Sequence, residues 1–150
     1  MTIFRFLRNI LGRRPRHLQV AALCLRGAGE SREVLLITTR GRGRWILPKG
    51  WPMKDRGLAA AALQEAWEEA GVIGAVGETA LGRYRYLKPG RGRGKSWLEV
   101  WVFPVEVREL AEDYPEAGQR QRRWWPLAEA VGIVEEPQLA AFLRRLSMRG

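Results

Sequence analysis

The segment from Leu58 to Ala70 constrains this chain more than any other. It is rich in Ala, Leu, Gln and Glu, the strongest helix formers. Asp55 can cap its start and Gly71 supplies the usual stop. At about 100° per residue, Ala59, Leu63, Ala66 and Ala70 share one side of the helix. Ala61, Glu65, Glu68 and Glu69 share the other. An apolar side made mostly of alanine is narrow, so the helix can lie close against a sheet. The glutamate side has no lysine or arginine four residues away to pair with it. Like charges on adjacent turns cost roughly a few tenths of a kcal/mol per pair, a small penalty that a solvated face tolerates.

Charge makes that cluster notable, because the formal net charge of the 150 residues is +10. One domain over residues 17–150 is expected, preceded by a basic arm or helix at 1–16. The arm places Ile3, Phe4, Phe6, Leu7, Ile10 and Leu11 at helical spacing among Arg5, Arg8, Arg13 and Arg14. Arginines interrupt its apolar stretch and no small-residue cleavage site follows, which argues against a secretory signal. It reads as a helix packed on the domain or frayed, with contact to anionic lipid or RNA as the sharper reading. Runs such as Val34–Ile37 are too short to cross a bilayer. A single cysteine, Cys24, excludes an internal disulfide and suits a reducing, cytoplasmic setting. It lies in an apolar run and is expected to be inert core. His17, the only histidine, has no neighbouring Cys or His to build a zinc site.

Leu18–Leu25 and Glu33–Thr39 read as strands joined by the loop Gly27–Ser31. A second turn, Gly41–Arg44, leads into Trp45-Ile46-Leu47 and Pro48. Thr79–Leu87 and Ser96–Val107 are two further expected strands, with Trp97, Val100 and Val102 suggesting alternation in the latter. Lys88–Lys95 between them is a basic, glycine-rich loop. Trp124-Trp125 follows a charged loop, and Pro137–Leu146 is a final amphipathic helix. Strands mixed with two helices indicate an α/β or α+β sandwich.

The loop Gly50–Gly57 must lead from a strand directly into the acidic helix. Hard cations such as Mg²⁺ take oxygen ligands and keep water while binding substrate phosphates. A carbonyl from the glycine turn plus carboxylates of one helix provides such a site. The metal would neutralise charge building on a phosphoryl group and lower the pKa of a bound water.

Gly50, Glu65, Glu68, Glu69, Gly71 and Val72 fall at the spacing of the Nudix hydrolase signature, G-x5-E-x7-R-E-U-x-E-E-x-G-U, where U is apolar. The stretch therefore resembles that family, with Ala66 at an apolar position. Two positions depart: Arg56 stands where a glutamate is expected and Gln64 where an arginine is expected. Leu35–Arg40, Arg44–Gly50, Leu110–Tyr114 and Arg122–Leu127 extend the resemblance to the diphosphoinositol and diadenosine polyphosphate hydrolase branch, over roughly residues 18–146.

The resemblance implies an α/β fold, a Nudix-like α/β/α sandwich with a mixed central sheet. It implies Mg²⁺- or Mn²⁺-dependent cleavage of a P–O–P bond in a nucleoside diphosphate linked to a group X. A dinucleoside polyphosphate or a similar highly phosphorylated small molecule is the expected substrate. Gly50, Glu65, Glu68 and Glu69 would hold the metal, and the three glutamates would form the catalytic set. Arg40, Arg44 and Lys49 would contact phosphate, where Arg forks and Lys point charges suit the remaining oxygens. Glu99, Glu112 and Glu116 are undistinguished candidates for a ligand from outside the helix. Lys88, Arg91, Arg93 and Lys95 add positive charge nearby. Trp45 and Trp51 are candidates for base stacking, whereas Trp67, Trp97, Trp101, Trp124 and Trp125 are expected in packing. Alternative readings are an RNA 5′-pyrophosphate hydrolase or RNA-binding protein, and a catalytically inactive Nudix-fold nucleotide sensor.

Overall fold

The computed structural model describes residues 17–89 and 94–149. The basic arm and the loop residues Arg91 and Arg93 lie outside them. The strand order follows from one run, β1 (Leu18–Arg26), whose first seven residues are all buried. A strand buried at seven consecutive positions, apolar at all of them but Gln19, can only be central, covered on both faces. It pairs in parallel with β7 (Lys95–Leu110), from Leu18 opposite Glu99 to Leu25 opposite Glu106. On its other side it meets β2 (Glu33–Thr38) and the short β4 (Lys49–Gly50), both antiparallel. β2 continues to β3 (Trp45–Ile46) and β8 (Arg122–Pro126). The long β7 also carries β5 (Val72–Val76) and β6 (Gly82–Pro89), completing one mixed sheet.

Helices cover both faces, so the α/β/α arrangement holds. Ala22 and Cys24 of β1 pack with Leu35, Ile37 and Val105 against Ala66 and Ala70 of α1 (Leu58–Ala70). Ala21 and Leu23 face the other way, toward Leu127 and Ala130 of α2 (Leu127–Ile133) and Leu139, Phe142 and Leu143 of α3 (Pro137–Ser147). Cys24 is fully buried, and burial pushes its thiol up to about 12, in keeping with an inert core residue.

The helix ends are only half as expected. Gly71 closes α1 in the left-handed conformation, φ 70°, where its N–H reaches the carbonyls of Ala66 and Trp67. At the start, Gly57 rather than Asp55 occupies the cap, with no side-chain hydrogen bond. Asp55 is instead held by Arg56 at 3.1 Å. Ala61, expected among the glutamates, is fully buried, because it packs with Ala59 and Ala62 against Val20 and Phe103 of the sheet, with Met53 of the incoming loop against the same cluster.

Two strands and a helix escape the sequence pattern. β5 is short and buries only Val72 on its full length, while its glycine, Gly74, sits at a bulge against Glu106 and Val107. β8 is an arginine-rich strand ending in proline, and of its residues Trp125 alone is buried. α2 follows it without a break. Register also corrects the tryptophans. Leu98, Val100 and Val102 form the buried face of β7, so Trp97 is out of phase and 48% exposed. Trp101 and Trp124 are half-buried, and Trp45, a candidate for base stacking, packs edge-on to Trp125 at 5.2 Å.

Candidate active site

The strand-to-helix connection puts the end of β4 directly beneath the middle of α1. Gly50 faces Glu65 so closely that a Cβ there would collide with the carboxylate. One turn further, Glu69 is 8% exposed and accepts the backbone N–H of Lys49 at 3.0 Å. The glutamate side of the helix is thus turned into a cleft. A solvated outer face is excluded for Glu69, which lies at the edge of the alanine stripe.

Charge in this cleft is strongly perturbed. The Glu65 carboxyl is pushed up to about 8, first by burial and then by Glu69, Glu68 and Glu116. Glu69 is pushed up to about 7 by burial, against the pull of Arg120 and the Lys49 N–H. Carboxylates crowded and half-desolvated in this way are disfavoured as anions until a cation joins them.

Arg120 is the residue the sequence pattern missed. Its guanidinium donates to Glu116 Oε1 at 2.9 Å and to the Thr38 carbonyl at 3.1 Å, and reaches Glu69 Oε2 at 3.5 Å. It lies in a stretch of mixed polarity with no helical or strand period, so only the fold brings it to Glu69, 51 positions away. The same loop supplies Glu116, whose N–H donates to the Glu68 carbonyl at 3.0 Å. Of the three outside carboxylates, Glu116 alone lines the cleft; Glu99 instead accepts from Trp101 Nε1 at 2.7 Å, and Glu112 is exposed.

Arg56 and Gln64, the two departures from the signature, bond to each other. Arg56 Nη1 donates to Gln64 Oε1 at 3.1 Å, and Gln64 Nε2 donates to Glu68 Oε2 at 2.7 Å. Guanidinium can only donate and carboxylate only accept, so the amide between them has one orientation.

The cleft encloses about 600 Å³ and includes Arg40, Lys49, Gly50, Glu65, Glu69 and Trp51. Arg40 is tied to Gln119 at 3.0 Å. Trp51 is 47% exposed, with the Lys88 ammonium 5.6 Å from its ring centre. Arg44 is not in this cleft. It lines a second cavity of about 610 Å³, and Lys49 and Lys88 belong to both walls. Lys49 projects its ammonium over Tyr86 at 4.7 Å, and burial lowers its pKa while Glu136 and Glu69 raise it.

Among the described residues no three acidic, histidine or cysteine side chains converge as a closed metal cage. Mg²⁺ does not require one: it usually takes one or two carboxylates, waters and substrate phosphate oxygens. Glu65 and Glu69 on successive turns, unneutralised apart from a long contact to Arg120, match that donor set.

A mixed sheet thus lies between helices, with a glutamate-bearing helix over a cleft that also carries Arg40, Lys49 and Arg120. The NUDIX domain model matches residues 15–149, and the chain belongs to the Nudix hydrolase family. It is 37% identical over 124 residues to Nudix hydrolase 21, chloroplastic, of Arabidopsis thaliana, covering 79% of this chain and 60% of that protein. The chain thus spans about three fifths of that relative's length. It is 30% identical over 136 residues to diphosphoinositol polyphosphate phosphohydrolase 3-alpha of Mus musculus, covering 88% and 79% respectively. The fold matches a Caenorhabditis elegans Ap4A hydrolase with TM-score 0.61 and 18% identity, over 87% of this chain and 95% of that one. Nudix hydrolases generally use divalent metals. Among the described residues no helix is long and apolar enough to cross a membrane. Relatives named as chloroplastic and mitochondrial give no support to a cytoplasmic placement.

Proposed function

We propose that the chain is a Mg²⁺- or Mn²⁺-dependent pyrophosphohydrolase that cleaves a P–O–P bond in a nucleoside diphosphate-X substrate. The substrate class is a dinucleoside polyphosphate or a similarly phosphorylated small molecule. One observation carries this reading: half-buried Glu65 and buried Glu69 share a cleft of about 600 Å³ with Arg40 and Lys49. Anionic ligands for a cation and cationic ligands for an anion meet in one space.

Glu65 and Glu69, with Glu68 and the Gly50 carbonyl beside them, would hold the metal. When bound, it supplies charge neutralisation at the phosphoryl group and acidifies a water. Lys49 and Arg40 bind non-bridging phosphate oxygens, and Arg44 extends the positive wall into the second cavity. Arg120 fixes Glu69 and Glu116 in place through the Thr38 carbonyl. The 30% identity to a diphosphoinositol polyphosphate phosphohydrolase supports the anhydride class.

Glu69→Gln tests the reading. It keeps the shape and the hydrogen bond from the Lys49 N–H and removes the anionic ligand. Product analysis across dinucleoside polyphosphates, nucleoside triphosphates, sugar nucleotides and triphosphorylated RNA should show metal-dependent turnover that this variant loses, with its melting transition intact. Full activity in the variant would refute the assignment.

A further inference from the structure

One face of the β6–β7 pair is left open, and its residues are not those of an ordinary polar surface. Pairing sets Arg83 opposite Trp101, Arg85 opposite Glu99 and Leu87 opposite Trp97. Paired residues share a face, and Tyr84, Leu98 and Val100 occupy the other, which is buried. The cluster beneath α1 takes in Trp101 but not Trp97. Trp97 is therefore 48% exposed and Leu87 38%. Each ring at this face carries a cation. Arg83 lies 5.6 Å from the ring centre of Trp101, and Arg85 lies 5.0 Å from that of Trp97. Lys88, next to Leu87, reaches Trp51 in the same way. Glu99 is the only acid among the six paired residues, and it is engaged by Trp101 Nε1 at 2.7 Å and by Arg83 at 3.5 Å. Outward arginines alone would keep the edge strand β6 from pairing with another sheet. They do not require tryptophans on the strand beside them. Trp51, Leu87 and Trp97 are three of the six large apolar side chains left exposed among the described residues, and such a concentration marks a binding surface.

We propose that this face binds single-stranded nucleic acid, with bases stacked on Trp97 and its neighbours and phosphates held by Arg83, Arg85 and Lys88. The site goes beyond the pyrophosphohydrolase reading and stands without it. Charge complementarity selects the occupant, because the chain carries a net charge of +10 and a cation lies over each of the three rings. A protein-binding surface would instead leave its central rings bare and set polar groups at the rim. Every base has a flat π face and stacks on an indole or on a guanidinium plane. Trp97 and Trp101 are four residues apart on one strand, roughly 13 Å, so bases at the two rings leave the phosphates between them near Arg85. A duplex hides its base faces and can engage only the cations. Trp51 and Lys88 also line the cleft of Glu65 and Glu69, so a bound strand runs toward its mouth.

Fluorescence anisotropy of a labelled oligouridylate and an oligothymidylate, beside a duplex of equal length, tests the proposal. The strands carry no 5′ phosphate, which keeps the Glu65 cleft out of the signal and separates this result from the hydrolase assay. Wild type should bind the single strands, and a preference for one assigns the partner as RNA or DNA. Trp97→Ala should weaken single-strand binding about fivefold or more and leave duplex binding within about twofold. Arg83→Gln combined with Arg85→Gln should flatten the slope of log K against log salt by roughly 1.4. Arg108→Gln, at an exposed position further along β7, should leave that slope unchanged. All the altered side chains are exposed, so the variants keep the fold. Equal single-strand affinity in Trp97→Ala, or no single-strand binding in wild type, would overturn the proposal. So would a polyglutamate peptide that binds more tightly than either oligonucleotide, which would assign the face to an acidic protein.

Discussion

Gly50→Ala isolates the contact on which the proposed metal site depends. A methyl added at Gly50 would lie 2.6 Å from Glu65 Oε2, and nearer still to the carboxyl carbon and Oε1. Ordinary contact begins at 3.4 Å and the carboxyl carbon is the nearest atom, so the carboxyl must retreat by roughly 1 Å. The obstacle is the far end of a flexible side chain, and the backbone at Gly50 is outside the left-handed region. The fold can therefore absorb the methyl. Reduced freedom of the unfolded chain favours alanine by about 0.4–1 kcal/mol, which offsets much of the cost of moving Glu65. Net stability should stay within about 1 kcal/mol of wild type. Activity should not, because displacing a ligand by close to 1 Å costs on the order of a hundredfold in rate. The measurements are urea denaturation, Mn²⁺ affinity by electron paramagnetic resonance, and kcat/KM on a dinucleoside polyphosphate. Gly132→Ala is the control: a Cβ there meets nothing within 4 Å, and Gly132 lies on α2, away from the cleft. Wild-type metal affinity and rate in Gly50→Ala would refute the placement of Glu65 as a ligand.

Two more predictions follow from the same cleft. In metal-free protein, Glu65 near 8 and Glu69 near 7 hold protons more tightly than the unfolded chain does at its ordinary 4.5. Their contribution to stability is complete below that value and is lost as pH rises through 7 to 8. The Tm of the metal-free protein should fall between pH 6 and 8.5; a rise would contradict the burial of these groups, whereas saturating Mn²⁺, which binds the deprotonated form, should reverse the trend. Gln64→Leu should release Glu68 from its 2.7 Å hydrogen bond and weaken Mn²⁺ binding roughly tenfold. Gln64→Arg can donate to Glu68 directly but offers Arg56 no acceptor, so it should restore only part of it, and equal affinity in all three proteins would show that the Arg56–Gln64 pair has no supporting role.

Much of this was legible along the chain because it depends on near neighbours. α1 begins and ends at the residues expected, since Ala, Leu, Gln and Glu favour helix and Gly71 alone accepts φ 70° against Tyr114 and Arg122. β1 and β2 declared themselves as continuous apolar runs. β5 and β8 did not, because their strand state comes from pairing with β7 and β2 and not from composition. The same distinction explains Trp97 and Trp45: the sequence contains the rings, but register decides which face they take.

Spacing alone placed Gly50, Glu65, Glu68 and Glu69 at intervals that match the family, because a strand, a loop and a helix of set length repeat that geometry. It could not show that Glu69 is buried, that Arg120 and Glu116 arrive from a loop after β7, or that Arg56 and Gln64 bond to each other. Nor could it divide Arg40 from Arg44 between two cavities. Those facts depend on contacts between residues far apart in the chain. Helix periodicity is a property of a few consecutive residues, whereas desolvation and charge coupling are properties of everything that packs around them.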